Sequence, residues 1–207
     1  ASIEIAKAIE CLGVDTIEIG HPIVSEAELN RVKSVTNLGL KADILTHARA
    51  NQNDIDAAKK SGASWVGIFV GLNARTRKVV LNGRNEDQIL TLIKNSVSYA
   101  KGLGLKVRYT VEDSSRTDID TLEKAYKCAI NAGADRICFA DSIGHLEPKE
   151  VSLIISTLRS RFPSIFLETH FHNDRGLALA NSLAALDAGS DWISCSINGI
   201  GERAGIT

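Results

Sequence analysis

The sequence has no excess of charge of either sign. Its 24 Lys and Arg against 25 Asp and Glu leave a net charge of −1 over 207 residues. That excludes the basic stripe of a nucleic-acid binder and the polybasic patch of a membrane-surface protein. The charges are interspersed rather than blocked, as on solvated helix faces. No apolar run reaches membrane length, and no signal-peptide pattern appears. The four cysteines, Cys11, Cys128, Cys138 and Cys195, include no pair at metal or redox spacing. They read as buried small apolar residues in a reducing cytosol, so a cytoplasmic protein is expected. The chain is 44% hydrophobic, enough for a real core at this length.

What is present is a repeated junction. An amphipathic helix ends in Gly and a short β-branched strand follows at once. The junctions are at Gly13, Gly39, Gly62, Gly104, Gly133 and Gly189. Gly takes the left-handed conformation past a helix end without steric cost. Alternating strands and helices mean parallel βαβ units. Strands are expected near 15–21, 42–47, 65–71, 105–112, 135–141, 165–172 and 191–198. Helices are expected near 2–12, 25–37, 51–61, 86–102, 118–132, 148–161 and 176–188. An open doubly wound sheet would repeat in the same way, but no Gly-rich dinucleotide loop follows the first strand. The expected fold is therefore an α/β (β/α)8 TIM barrel. A closed one needs eight strands and about 250 residues. Residues 1–207 are accordingly expected to form one catalytic barrel domain that lacks its first strand and C-terminal segments.

The strongest chemical signal is Glu168-Thr169-His170-Phe171-His172. Side chains alternate along a strand, so Glu168, His170 and His172 share one face, while Thr169 and Phe171 meet the helices. Two histidines at i and i+2 stand roughly 6–7 Å apart at the backbone. Both imidazoles can then reach one metal at about 2 Å each. They lie at the C-terminal end of their strand, where barrel active sites form. A second strand, Arg108-Tyr109-Thr110-Val111-Glu112, points a cation, a hydroxyl and a carboxylate the same way. Arg108 can grip a carboxylate bidentately, and Glu112 is a general acid or base if burial lifts its pKa. The alternative is a buried Arg108–Glu112 pair that only plugs the barrel.

Three weaker signals end other strands. Ser142 in Ala140-Asp141-Ser142-Ile143-Gly144 offers a hydroxyl to a substrate carboxylate or merely serves a turn. His47 faces the mouth if strand alternation holds, and otherwise sits in a solvated loop. The run 199–205 holds three glycines with Glu202 and Arg203. It reads as a latch between strands, or as a close approach to ligand.

Taken together, these motifs resemble the family of isopropylmalate, homocitrate and citramalate synthases, with hydroxymethylglutaryl-CoA lyase a more distant relative. The carrying residues are 13–18, 111–118, 140–144, 170–176 with Ala180-Asn181, and 199–203. Motif detail lies closest to homocitrate synthase. The resemblance implies a TIM barrel that holds a divalent metal (Zn, Mn or Mg) at its mouth and condenses an acyl-CoA, usually acetyl-CoA, with a 2-oxo acid. It implies that His170 and His172 ligate the metal and that Glu112 is the catalytic carboxylate. Arg108, Ser142, Glu168 and His47 fall at substrate-pocket positions, and Thr110 shares their face. A base would deprotonate the acyl-CoA methyl group, the enolate would add to the polarised ketone, and thioester hydrolysis would complete the reaction. By analogy with dimeric relatives a homodimer is expected.

This chain departs from the family in several places. The acidic metal ligand and the arginine of the family's first strand are not in it, so two imidazoles alone should bind metal weakly. Ile206 stands where isopropylmalate synthases carry Asn, Ala204 where homocitrate synthases usually do, and Ser142 where they more often have Thr. The readings left open are a lyase on the same scaffold and an inactive barrel.

Overall fold

Five of the eight α-helices start at short polar side chains that satisfy free backbone N–H groups. In a computed structural model describing residues 1–207, Ser25, Asn51, Asn73, Asn85 and Asp118 each accept from the N–H three residues on. The elements are α1 (Ser2–Cys11), β1 (Thr16–Glu18), α2 (Glu26–Thr36), β2 (Asp43–Arg49), α3 (Gln52–Lys60), β3 (Trp65–Gly71), α4 (Ala74–Val79) and α5 (Glu86–Gly102). They continue with β4 (Lys106–Glu112), α6 (Ile119–Asn131), β5 (Arg136–Asp141), α7 (Pro148–Arg161), β6 (Phe166–Phe171), α8 (Ala178–Asp187) and β7 (Trp192–Ile193).

The glycine junctions stop the helices as the sequence suggests. Gly104 has φ +77° and no atom within 4 Å of where a Cβ would stand. Gly104→Ala therefore strains the backbone without a clash. It should cost about 1–2 kcal/mol, read as a lower urea midpoint at unchanged slope.

All seven strands pair in parallel, in chain order from β1 to β7. This is the sheet of a TIM-type barrel, one strand short of eight. Strand parity divides the side chains. Val66, Ile68, Val70, Val107, Tyr109, Val111, Ile137, Phe139, Leu167 and Phe171 point outward into one apolar cluster with the helices. A separate cluster joins α1, β1, α2 and β2 through Ala6, Ile17, Val32, Val35 and Ile44. The opposite parity fills the interior, with polar groups toward the strands' C-terminal ends. Beneath them the Arg136 guanidinium lies 4.6 Å from the Trp65 ring and 3.7 Å from the Trp192 ring. Two aromatic faces thus hold a buried cation at the barrel floor.

The structure corrects three expectations. The link after β3 contains α4, a helix too short to show a 3.6-residue period. β1 and β7 are shorter than expected because each has a pairing partner on one side only, and the chain leaves β1 at Gly20 with φ +58°. Cys11 and Cys195 are exposed, whereas only Cys138 is fully buried. Cys11 ends α1 on its outer side, and Cys195 lies past the last strand.

Candidate active site

The inward side chains surround a cavity of about 540 Å³ at the C-terminal ends of the strands. Glu18, His21, His47, Arg108, Thr110, Glu112, Ser142, His170 and His172 all line it. Seven of the eight expected site residues are therefore brought to one place; the eighth, Glu168, lies just below.

β6 carries His170, and His172 follows directly past its last residue. Phe171 is buried in the outer core, so its neighbours His170 and His172 must face in. Their ring centroids are 5.0 Å apart with planes at 71°. His170 Nδ1 lies 2.7 Å from the Ser194 hydroxyl, and burial pulls its pKa down to about 4. A ring neutral at neutral pH is the form that binds metal. His172 Nδ1 is buried without a hydrogen-bond partner, a cost unless something pairs with it. No third His, Cys, Asp or Glu joins them in a metal-binding group. Two imidazoles at this separation suit a shared divalent ion, provided water or substrate oxygens complete its shell.

Arg108 is the hub of the charge network. Its Nη1 donates to Glu18 Oε1 and to Glu168 Oε1, both at 2.6 Å. Glu168 is 2% exposed, and its other oxygen accepts from Arg136 Nη1 at 2.9 Å. Both its oxygens are thus taken by arginines, and Glu168 acts on the cavity through Arg108. Glu18 also pairs with His47 Nε2 at 3.0 Å. Burial alone would raise the Glu18 carboxyl, but Arg108 and His47 outweigh it and hold the group well below the usual carboxylate range. Breaking a buried pair of this kind leaves an uncompensated charge, so the network fixes the Arg108 guanidinium in place. Thr110 Oγ1 is buried beside it with no partner.

Glu112 forms no part of that network, which removes the Arg108–Glu112 plug. Burial first, then the charges of Asp113 and Glu202, raise its pKa. The next residue, Asp113, has a left-handed backbone at φ +57°, unusual for a non-glycine. Surrounding groups hold it there. Its carboxylate accepts from Asn73 Nδ2 at 2.6 Å and Arg116 Nε at 2.9 Å. Its backbone N–H donates to Ser142 Oγ at 2.9 Å. The Ser142 hydroxyl proton is left to donate into the cavity. Arg203 ties the glycine-rich run to the β5 and β6 ends, donating to Asp174 Oδ1 at 2.9 Å and to the Ser142 carbonyl. That contact is the latch.

Sequence reasoning did not single out Glu18, His21 or Arg75 as site residues. Glu18 was accessible by strand parity, two residues beyond Thr16 on β1. His21 follows the strand, edge-on to His47 at 5.3 Å between ring centroids. Arg75 sits on α4, which carried no readable signal.

The HMGL-like family model matches residues 1–207. The chain is 41% identical over 208 residues to homocitrate synthase of Sulfurisphaera tokodaii, covering 99% of this chain and 45% of that protein. It is 40% identical over 203 residues to homocitrate synthase AksA of Methanocaldococcus jannaschii, covering 98% and 50%. It thus spans about half the length of these curated relatives. Among solved structures, hydroxymethylglutaryl-CoA lyase of Bacillus subtilis superposes with a TM-score of 0.83 at 22% identity, over 99% of this chain and 75% of that one. That likeness speaks for the barrel fold alone. With the family model spanning every residue and the paired imidazoles, the carboxylate and the arginine hub all at one barrel mouth, the chain belongs to the HMGL-like family.

Proposed function

We propose that this barrel catalyses condensation of an acyl-CoA, acetyl-CoA foremost, with a 2-oxo dicarboxylic acid, as in homocitrate synthase. The observation that carries the reading is the sharing of one cavity by Glu112, which has a raised pKa and no ion pair, and the His170–His172 pair. The lining is polar rather than apolar, with Arg108, Thr110 and Ser142 facing in beside Glu18. It suits a second carboxylate on the substrate and not a branched alkyl group. His170 and His172 would hold a divalent ion (Zn, Mn or Mg), which when bound polarises the substrate ketone. Arg108 and the free Ser142 proton orient the acid. Glu112 holds and moves a proton at its carboxyl. The homodimer expected from the resemblance belongs to the same proposal.

The test is thiol release from acetyl-CoA by the full-length protein against a panel of 2-oxo acids. Release is expected only with metal and a 2-oxo dicarboxylate together. Cleavage of a hydroxyacyl-CoA without consumption of a 2-oxo acid would favour a lyase. Neither activity would leave an inactive barrel.

α4 supplies a finer prediction. Arg75 lines the cavity and has no ion-pair partner, and Arg77 and Lys78 on the same helix have none either. This uncompensated charge suits the phosphates of CoA. Arg75→Gln should raise the KM for acetyl-CoA by up to about fivefold. The KM for the 2-oxo acid should not change, and the difference should shrink with added salt.

A further inference from the structure

Ser194 is the residue just past β7, and none of the site motifs includes it. Its backbone N–H donates to the Thr169 carbonyl at 3.1 Å, which keeps it in register beside β6. Trp192, two residues earlier, stacks on Arg136 inside the barrel. Ser194 therefore shares the inward parity. Its Oγ lies 2.7 Å from His170 Nδ1 and makes no other hydrogen bond.

A hydroxyl can either donate or accept, and a neutral imidazole carries one N–H. A metal takes the lone pair of one ring nitrogen, so the other keeps its proton and needs an acceptor. With Nδ1 facing Ser194, Nε2 is the nitrogen left for an ion. We propose that Ser194 is a positioning residue of the metal site. It accepts the His170 Nδ1–H, fixes the tautomer and holds the ring plane. This rests on the two-imidazole reading above. The two histidines are then unequal: His170 is preset by a partner, whereas His172 Nδ1 is buried without one. In a site with only two protein ligands on this chain, losing the preset of one of them should be felt directly in affinity.

The experiment titrates Mn²⁺ into metal-free full-length protein and compares wild type with Ser194→Ala, Ser194→Thr and His170→Ala. Removing an outer partner of a ligating histidine costs about tenfold to hundredfold in metal affinity. Ser194→Ala should show that loss, and Ser194→Thr, which keeps the hydroxyl, should bind like wild type. Nitrogen-15 NMR of the histidine rings in the unmutated metal-free protein supplies a readout independent of folding in the variants; the His170 proton should sit on Nδ1. Wild-type affinity in Ser194→Ala, or a proton on Nε2, would overturn the role of Ser194 while leaving the paired-histidine site standing. Equal binding by wild type and His170→Ala would overturn both.

Discussion

Replacing His170 or His172 by Ala in the full-length protein should lower metal-dependent condensation by at least ~10³-fold. Lewis-acid stabilisation is worth several kcal/mol, and each 1.36 kcal/mol is about tenfold in rate. The rings stand 5.0 Å apart at the end of β6 and no third such ligand joins them, so neither can be replaced by a neighbour. Elemental analysis should show the loss of bound metal in each variant. His47→Ala is the control. Its Nε2 is already engaged by Glu18 at 3.0 Å, so metal content should hold while substrate handling suffers. Unchanged metal content in the His170 and His172 variants would refute the site.

Glu112→Gln should reduce kcat by about 10²–10⁴-fold, the range for a lost general acid or base. Binding of the 2-oxo acid, measured by calorimetry, should be nearly unchanged. The physical reason is isolation. Glu112 makes no ion pair, unlike Glu18 and Glu168, so an isosteric neutral amide breaks no network. Burial and the charge of Asp113 raise its pKa. The acidic limb of the pH–rate profile should therefore lie above the ordinary Glu value of about 4.3 and vanish in the variant. Binding lost with chemistry intact would assign Glu112 to substrate grip instead.

Much of this arrangement is legible in local sequence because strand parity is a short-range rule. β3 occupies 65–71 as the β-branched run suggests, and α5 and α7 keep the expected bounds of 86–102 and 148–161. Parity also sends Arg108, Thr110, Glu112, Glu168, His170 and His172 to the interior. It cannot tell which inward groups meet across the barrel. Glu18 and Arg108 are 90 residues apart in sequence yet hydrogen-bonded at 2.6 Å. Whether Glu168 faces ligand or protein likewise depends on Arg136, which stands on β5, between the strands that carry Arg108 and Glu168. α4 escapes because six residues are too few for a periodic signal. Ser194 escapes because only the β6–β7 register brings it beside His170.

The most direct measurement is electron paramagnetic resonance of Mn²⁺ bound to full-length protein carrying nitrogen-15 histidine. Coupling to two ring nitrogens is expected, and His170→Ala and His172→Ala should each abolish the bound, histidine-coupled signal. A manganese signal with no histidine coupling, or coupling that survives intact in both variants, would contradict a cation shared by the two rings.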